Sequence, residues 1–450
     1  MNSMKKYIVL FLLVFLLSGC GAIKRAREAK DETKIPAGER TITADEIGLH
    51  DGDVLSVEQA VAIAVTYNPA FIRARQNLAV AEAEYRSAVA SYLPILEGRA
   101  SYRRATNNLK AGKESNKSYN SYSAGLDVSQ LVFDFWKTPY LIKKAVAEKV
   151  SAQNELDETL NKLTYDVKIK YLAVFKAQKN LEVAQDALEQ YRLHLEQAKA
   201  YFEVGRLIEN DVVKAEVDYS NAQLTAINAQ SNLKIAYSLL NQAMGFAEDV
   251  HYEVVEPPLM ESSSDVETLM ATARERNPQL KSFEAQVLSA YYGVDVSLAG
   301  LLPYLSFNAG LSYSGDSFPL VWNWYLGPSL NWSIFNGFRN MALIDEAVAS
   351  LRLARAQKSA FEQQIYQQLS QSVAQLESAK KRMELTELMV KQARKNLELF
   401  QARQNVGRAL AIEVTDAQVA LSNARLEQIS AWYDYQSASV LIEYLTGGKR

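Results

Sequence analysis

Two halves of this chain repeat the same punctuation in the same order. Asn68-Pro69 recurs as Asn277-Pro278 and Leu93-Pro94 as Leu302-Pro303, each 209 residues later. Val204-Gly205-Arg206 returns as Val406-Gly407-Arg408, and Ser220-Asn221-Ala222 as Ser422-Asn423-Ala424, each 202 residues later. The second copy therefore lacks seven residues somewhere between the positions of Pro94 and Val204. A duplication this long implies one architecture assembled from two similar units rather than two unrelated domains.

The units divide alike. A mostly polar tether from Gly21 to Gly52 leads into a short amphipathic helix over Leu55 to Thr66. Asn68 then caps a second helix with Pro69 at its first position, where a missing N–H costs nothing. That helix is predicted to run to Leu93 and stop at Pro94. From Val266 the pattern returns: a short helix, Asn277-Pro278, a helix to Leu302, then Pro303. The segments read from this are 53–245 for the first repeat, 246–265 for a linker and 266–450 for the second repeat.

After each proline the apolar period changes from helical to two. Leu305, Phe307, Ala309, Leu311 and Tyr313 alternate with Ser306, Asn308, Gly310, Ser312 and Ser314. From Trp324 to Ser333, tryptophan, leucine and proline alternate with Tyr325, Gly327, Ser329, Asn331 and Ser333. Tyr122, Ala124, Leu126 and Val128 alternate with serines, Gly125 and Asp127, and a less regular strand follows Pro94. Four strands of about ten residues with one apolar and one small-polar face fit a transmembrane β-barrel. Two soluble hairpins packed on a core would alternate too, but serine, glycine and asparagine favour a wet interior. Four strands cannot close a barrel, and an open edge is not tolerated in lipid, so the chain must oligomerise.

The longest helices come next. Tyr140 to Glu203 contains neither proline nor glycine. Its seam from Leu156 through Leu163, Val167, Val174, Leu181 and Leu188 to Phe202 steps by four and three, broken only by Lys170. In the second half Leu369, Leu376, Met383, Val390 and Leu397 are flanked by Ser372, Ala379, Thr386, Ala393 and Phe400. These are coiled-coil seams with close helix approach. Each long helix ends at a glycine suited to a left-handed cap, Gly205 or Gly407, and a new helix begins near Asp211 or Ala411. The helical hairpins so formed carry Val204, Leu207 and Ile208 at one tip and Val406, Leu410 and Ile412 at the other. Apolar groups at the end of a narrow hairpin suggest a partner surface, although they also staple a turn.

The first twenty residues address the protein. Lys5 and Lys6 precede an apolar run from Tyr7 to Leu17 and then Ser18-Gly19-Cys20, a lipoprotein-type secretory signal over 1–19. The run is too short to span a bilayer. Cys20 is the only cysteine, which excludes intramolecular disulfides and multi-thiolate metal sites and makes lipid attachment its obvious use. Residues 20–52 then form a lipid-anchored tether, and Gly21 after the cysteine resembles an outer-membrane sorting context. Removing residues 1–19 takes away two of the 49 bases and none of the 52 acids, leaving a mildly acidic chain. Its bases are dispersed among acids, so no nucleic-acid partner is expected. His50, His194 and His251 show no ligand spacing, no phosphate loop or nucleophile elbow stands out, and neither a metal, a cofactor nor an enzymatic activity is expected.

The lipobox, the entering helix at Leu55-Ser56-Val57-Glu58-Gln59-Ala60, the Asn-Pro starts, the Leu-Pro breaks and the two Val-Gly tips together resemble the TolC family of outer-membrane efflux factors, in its acylated form. The resemblance covers nearly the whole mature chain. It implies a mainly helical protein whose antiparallel coiled coils form an α-barrel, with four strands per protomer joining a trimeric twelve-stranded β-barrel. It implies a homotrimer in the outer membrane, working with a periplasmic adaptor and an inner-membrane transporter, and adaptor docking at Val204, Gly205, Arg206, Val406, Gly407 and Arg408. Arginine after the glycine departs from the smaller or apolar residue common there. The family closes its tunnel with acidic rings that fall here on Glu413 and Asp416, where threefold symmetry would gather like charges. Glu413 also suits the positive start of its helix. The resemblance thus implies a passive exit duct of a tripartite efflux system. The alternatives are the duct of a one-step (type I) protein secretion system and a non-pore coiled-coil tether of the envelope.

Overall fold

The computed structural model describes residues 21–30, 47–50, 52–106, 118–205, 207–246, 250, 252–260, 265–406, 408–409 and 411–448. Cys20, Arg206, Gly407 and Leu410 lie outside the described residues. Residues 21–30 form a first helix, α1, exposed along its whole length. There follow β1 (Val54–Leu55), α2 (Val57–Tyr67), α3 (Pro69–Ala90), β2 (Ile95–Thr106), β3 (Ser118–Phe133), α4 (Lys137–Glu203) and α5 (Glu209–Met244). The linker carries β4 (Glu253–Val254), and the second unit is α6 (Val266–Arg276), α7 (Pro278–Ala299), β5 (Tyr304–Gly315), β6 (Val321–Asn331), α8 (Arg339–Asn405) and α9 (Ala411–Leu445).

The entering helix starts at Val57, two residues after the predicted Leu55, because Ser56 and Gln59 form a capping box. The two Asn-Pro junctions do more than cap. Asn68 Oδ1 accepts from the Ala70 N–H (2.8 Å), while Asn68 Nδ2 donates to the Ala243 carbonyl at the end of α5 (2.8 Å). Asn277 Oδ1 accepts from the Leu280 N–H (3.0 Å), and its Nδ2 donates to the Leu445 carbonyl at the end of α9 (3.0 Å). Each asparagine thus satisfies orphan groups at the start of one helix and at the end of another. Gly245 and Gly447 complete the joint, both at φ 100°. A Cβ there would stand 2.8 Å from the backbone of Tyr67 or of Arg276, so only glycine closes it.

α3 ends at Ala90 and α7 at Ala299, three residues short of the predicted leucines. Ser91, Tyr92 and Leu93 instead make i→i−3 bonds to Ala88, Val89 and Ala90, a tightened last turn before the proline. The strands form one antiparallel sheet in the order β2-β3-β5-β6. Register places Leu126 beside Leu311 and Leu311 beside Trp324 on one face, and Ser123 beside Ser314 and Ser312 beside Asn323 on the other. β2 and β6 are its free edges. The strands return to helix through left-handed pairs, Phe135-Trp136 and Gly337-Phe338. The buried Asp134 caps α4, its Oδ2 accepting from the Thr138 N–H at 2.7 Å. Pro139 accordingly lies inside the first turn of α4.

α4 and α8 each contain 67 residues, roughly 100 Å at ~1.5 Å per residue. α4 packs antiparallel on α5 and α8 on α9, and α4 meets α9 to join the hairpins. Lys168–Glu443 (2.7 Å) and Arg425–Asp186 (2.8 Å) bridge that junction. Leu163, Val167, Val174 and Ala184 of the first seam are buried, as are Leu369, Leu376, Ala379 and Thr386 of the second. The main core lies where α2, α4 and α5 converge beneath a two-stranded parallel pair, β1 with β4, and a second core joins α6, α8 and α9.

Candidate functional site

The sheet presents two chemistries. On its polar face hydroxyls pair across strands: Ser101 with Ser123 and Ser306 with Ser329, both at 2.8 Å. Asn308 Nδ2 donates to Ser329 Oγ at 2.8 Å. On the other face Trp322, Trp324, Leu326 and Leu330 are exposed, Trp324 by 65%. Aromatic side chains gather at both ends, with Phe318 and Trp322 by the hairpin turn and Trp136, Trp332, Phe335 and Phe338 by the helices. An apolar band between aromatic girdles, backed by a polar face, is the lateral pattern of a barrel wall in lipid. No helix among the described residues is long and apolar enough to cross a membrane.

At the opposite end of the molecule stand the hairpin tips. Gly205 adopts φ 71°, and its N–H returns to the Phe202 carbonyl at 2.9 Å, turning the chain after α4. Val204 and Val406 are 67% and 68% exposed, and Ile208 is exposed beside the first. Asp211 secures the start of α5 by accepting from the Ile208 N–H at 3.4 Å. At the second tip the exposed Arg408 donates its N–H to the Arg403 carbonyl (2.8 Å), and Arg403 Nη2 donates back to the Arg408 carbonyl (3.2 Å). The described residues of both tips are therefore hydrogen-bonded turns that expose Val204 and Val406.

Glu413 and Asp416 lie three residues apart in the first two turns of α9, Glu413 partly buried and Asp416 exposed. Val414, Ala417 and Leu421 pack against Val390, Leu397 and Phe400 of α8 and hold this stretch in place. Beside it a polar cleft of about 250 Å³ runs between α4, α8 and α9, lined by His194, Gln197, Gln404 and Gln418 among others. Burial pushes the Tyr191 phenol up, with Asp218 and Asp416 adding to it. Burial holds His194 below its ordinary value, against the pull of Asp218. One protomer brings Glu413 and Asp416 together but does not bring either to an axis. No cluster of histidine, cysteine, aspartate or glutamate suited to a metal occurs among the described residues.

Three structural residues escaped the sequence reading. Gly245 and Gly447 obey the 202-residue spacing and were legible from it. Tyr171 carried no such signal: its buried hydroxyl lies 2.8 Å from the Leu55 and Val255 carbonyls and accepts from the Val255 N–H (2.9 Å), tying α4 to the β1–β4 pair.

These features agree with the relatives of the chain. Residues 62–246 and 269–448 match the family of outer membrane efflux proteins, and the chain belongs to that family. It is 23% identical to the outer membrane efflux protein BepC of Brucella suis, over 83% of this chain and 79% of BepC. It is 23% identical to the outer membrane protein TolC of Vibrio cholerae, over 85% of this chain and 90% of TolC. It is also 23% identical to the alkaline protease secretion protein AprF of Pseudomonas aeruginosa, over 74% and 71% respectively. The crystal structure of the outer membrane protein VceC from Vibrio cholerae shares the fold, with a TM-score of 0.75 at 18% identity over 87% of this chain and 96% of that one. The expected architecture of α-barrel helices continued by barrel strands is thus the fold of this chain, and its role is that of an outer-membrane exit duct.

Proposed function

We propose that three copies of this chain close into one duct that passes small molecules out of the periplasm after an inner-membrane pump has supplied the energy. The observation that carries this is the four-stranded sheet with an exposed apolar face and two unpaired edges, β2 and β6. In lipid each unpaired edge group costs several kcal/mol, and pairing β6 of one protomer with β2 of the next removes the edges. The flanks of the helical part support the same assembly. α5 exposes Val213, Val217, Leu224, Ile227, Ile235 and Leu239, and α8 exposes Leu353, Tyr366, Leu385, Leu388 and Leu399. Such stripes are suited to meeting across a subunit boundary.

In this reading the chain is a passive conduit rather than an enzyme. The apices around Val204 and Val406, with Gly205, Arg206, Gly407 and Arg408, dock a periplasmic adaptor. Glu413 and Asp416 ring the narrow end, where three copies of each repel anions and attract cations. An acyl chain on Cys20 holds the tether at the inner leaflet of the outer membrane. The likeness to AprF favours, as a second reading, export of a protein in one step.

The mass of the particle extracted in detergent from isolated outer membranes, corrected for bound detergent, tests the assembly. A trimer supports it, and a stable monomer released without dissolving the bilayer overturns it. A deletion strain then separates the cargoes: sensitivity to toxic small molecules supports efflux, and loss of one extracellular protein without such sensitivity supports secretion.

A further inference from the structure

One row of the sheet departs from the serine and asparagine of its polar face. Register sets Glu97 of β2 opposite Asp127 of β3, Asp127 opposite Gly310 of β5, and Gly310 opposite Tyr325 of β6. Tyr325 does not stand out from the sheet. Its side chain lies across Gly310 and donates from Oη to Asp127 Oδ1, two strands away, at 2.8 Å. A Cβ on residue 310 would collide with the tyrosine ring, 2.6 Å from Cζ, and stand 2.7 Å from Asp127 Oδ1. The absence of a side chain at Gly310 is what leaves a track for the ring. The other Asp127 oxygen faces Arg99 Nε at 3.6 Å, and Arg99 Nη2 meets Glu97 Oε2 at 2.9 Å. A continuous chain of polar contacts therefore spans all four strands at one level. Its two carboxylates outnumber its one guanidinium, and among the described strand residues Arg103 is the only further charge on this face.

Resting on the trimeric duct proposed above, we infer that this row is a filter inside the β-barrel, distinct from the tips and from Glu413 and Asp416. Gly310 and Asp127 hold Tyr325 flat against the wall so that the bore stays open. Three copies of the row place net negative charge in a water-filled bore with low-dielectric walls and favour cationic over anionic solutes. The serines and asparagines on either side are neutral, so charge discrimination within the barrel concentrates here and at Arg103.

A thiol placed beyond the row reads the filter independently of the tip. Asn331 ends β6 on the same face, six residues from Tyr325 towards the helices and about 20 Å away at ~3.3 Å per residue. In Asn331→Cys trimers in outer membranes, cationic and anionic thiosulfonate reagents of similar size are applied from outside. Their rates are divided by those with a free thiol in solution, and the parent chain controls for Cys20. The filter predicts a cation preference of about tenfold, abolished by Glu97→Gln with Asp127→Asn. Gly310→Ala should slow both reagents by forcing the ring into the bore, and adding Tyr325→Ala should restore them. A thiol that reacts with both reagents equally, at rates indifferent to all these changes, overturns the filter and leaves the duct standing. A thiol inert to both reagents, in the presence and absence of Tyr325, overturns the duct itself.

Discussion

The Tyr171 hydroxyl is a small group asked to hold a long-range joint, and removing it gives a sharp prediction. Tyr171 is 1% exposed, and its oxygen is the meeting point of β1, β4 and α4. In Tyr171→Phe the Val255 N–H loses its acceptor and one of two carbonyls, Leu55 or Val255, loses its donor. Each group left unpaired in a buried setting costs about 1–3 kcal/mol, and Val255 itself is partly solvated, so the joint should loosen by about 2 kcal/mol. At 1.4 kcal/mol per tenfold, hydrogen exchange of the Val255 amide should accelerate roughly 30-fold, with Glu253 following. Amides nearer the hairpin tips, around the separate cluster of Leu397, Ala417 and Leu421, should exchange as before. The pH dependence gives a second signature. Burial pushes the Tyr171 phenol up to about 12 from its ordinary 10, so the protonated form is favoured in the folded chain. The stability it contributes is complete below pH 10 and is lost as pH rises to about 12, and the phenylalanine variant should lose less across that interval. Unchanged exchange at Val255 would refute the claim that this hydroxyl supports the joint.

Other outcomes follow from the same packing. Glu158 is raised above its ordinary value by burial, although Tyr444 donates to its Oε1 at 2.6 Å, and its Oε2 is buried without a hydrogen-bond partner. Because the folded pKa is raised, stability is fullest below the unfolded value and falls as pH climbs through the folded one, so Glu158→Gln should flatten the stability–pH curve over that window in thermal melts. Val204→Ser with Val406→Ser should leave thermal stability within about 0.5 kcal/mol, since both side chains are already in solvent, yet weaken co-purification of the adaptor. Unchanged adaptor recovery would remove the apices from docking. Glu413→Gln with Asp416→Asn should raise single-channel conductance and reduce cation preference, and an unaltered current would remove them from the constriction.

Legibility in the sequence followed the strength of local signals. Asn68-Pro69 and Asn277-Pro278 fix helix starts by chemistry confined to a few residues, and those starts stand where the sequence puts them. The alternation in β5 and β6 is regular because one face meets serine and the other tryptophan and leucine. β2 reads poorly because Glu97, Arg99 and Arg103 occupy its polar face while Gly98 and Ala100 weaken the apolar one. The β1–β4 pair was illegible: two residues in each strand, nearly two hundred apart, leave no period to detect. The ends of α3 and α7 shifted because a proline excludes the helix from the residues before it through a tightened turn rather than at a single position. The course of Tyr325 over Gly310 depends on neighbours in three strands, and no spacing in one strand encodes it.

In the proposed trimer β2 and β6 are edges only within the single chain. Within one protomer they are separated by three strand spacings, about 14 Å at ~4.8 Å each, too far for a disulfide. Between adjacent protomers of a closed barrel they are one spacing apart. Paired cysteines scanned along facing positions of β2 and β6, oxidised in isolated outer membranes and separated on denaturing gels, measure this directly. The closed duct predicts that some registers give a ladder ending at a covalent trimer. Formation of no dimer or trimer at any register would contradict the shared barrel.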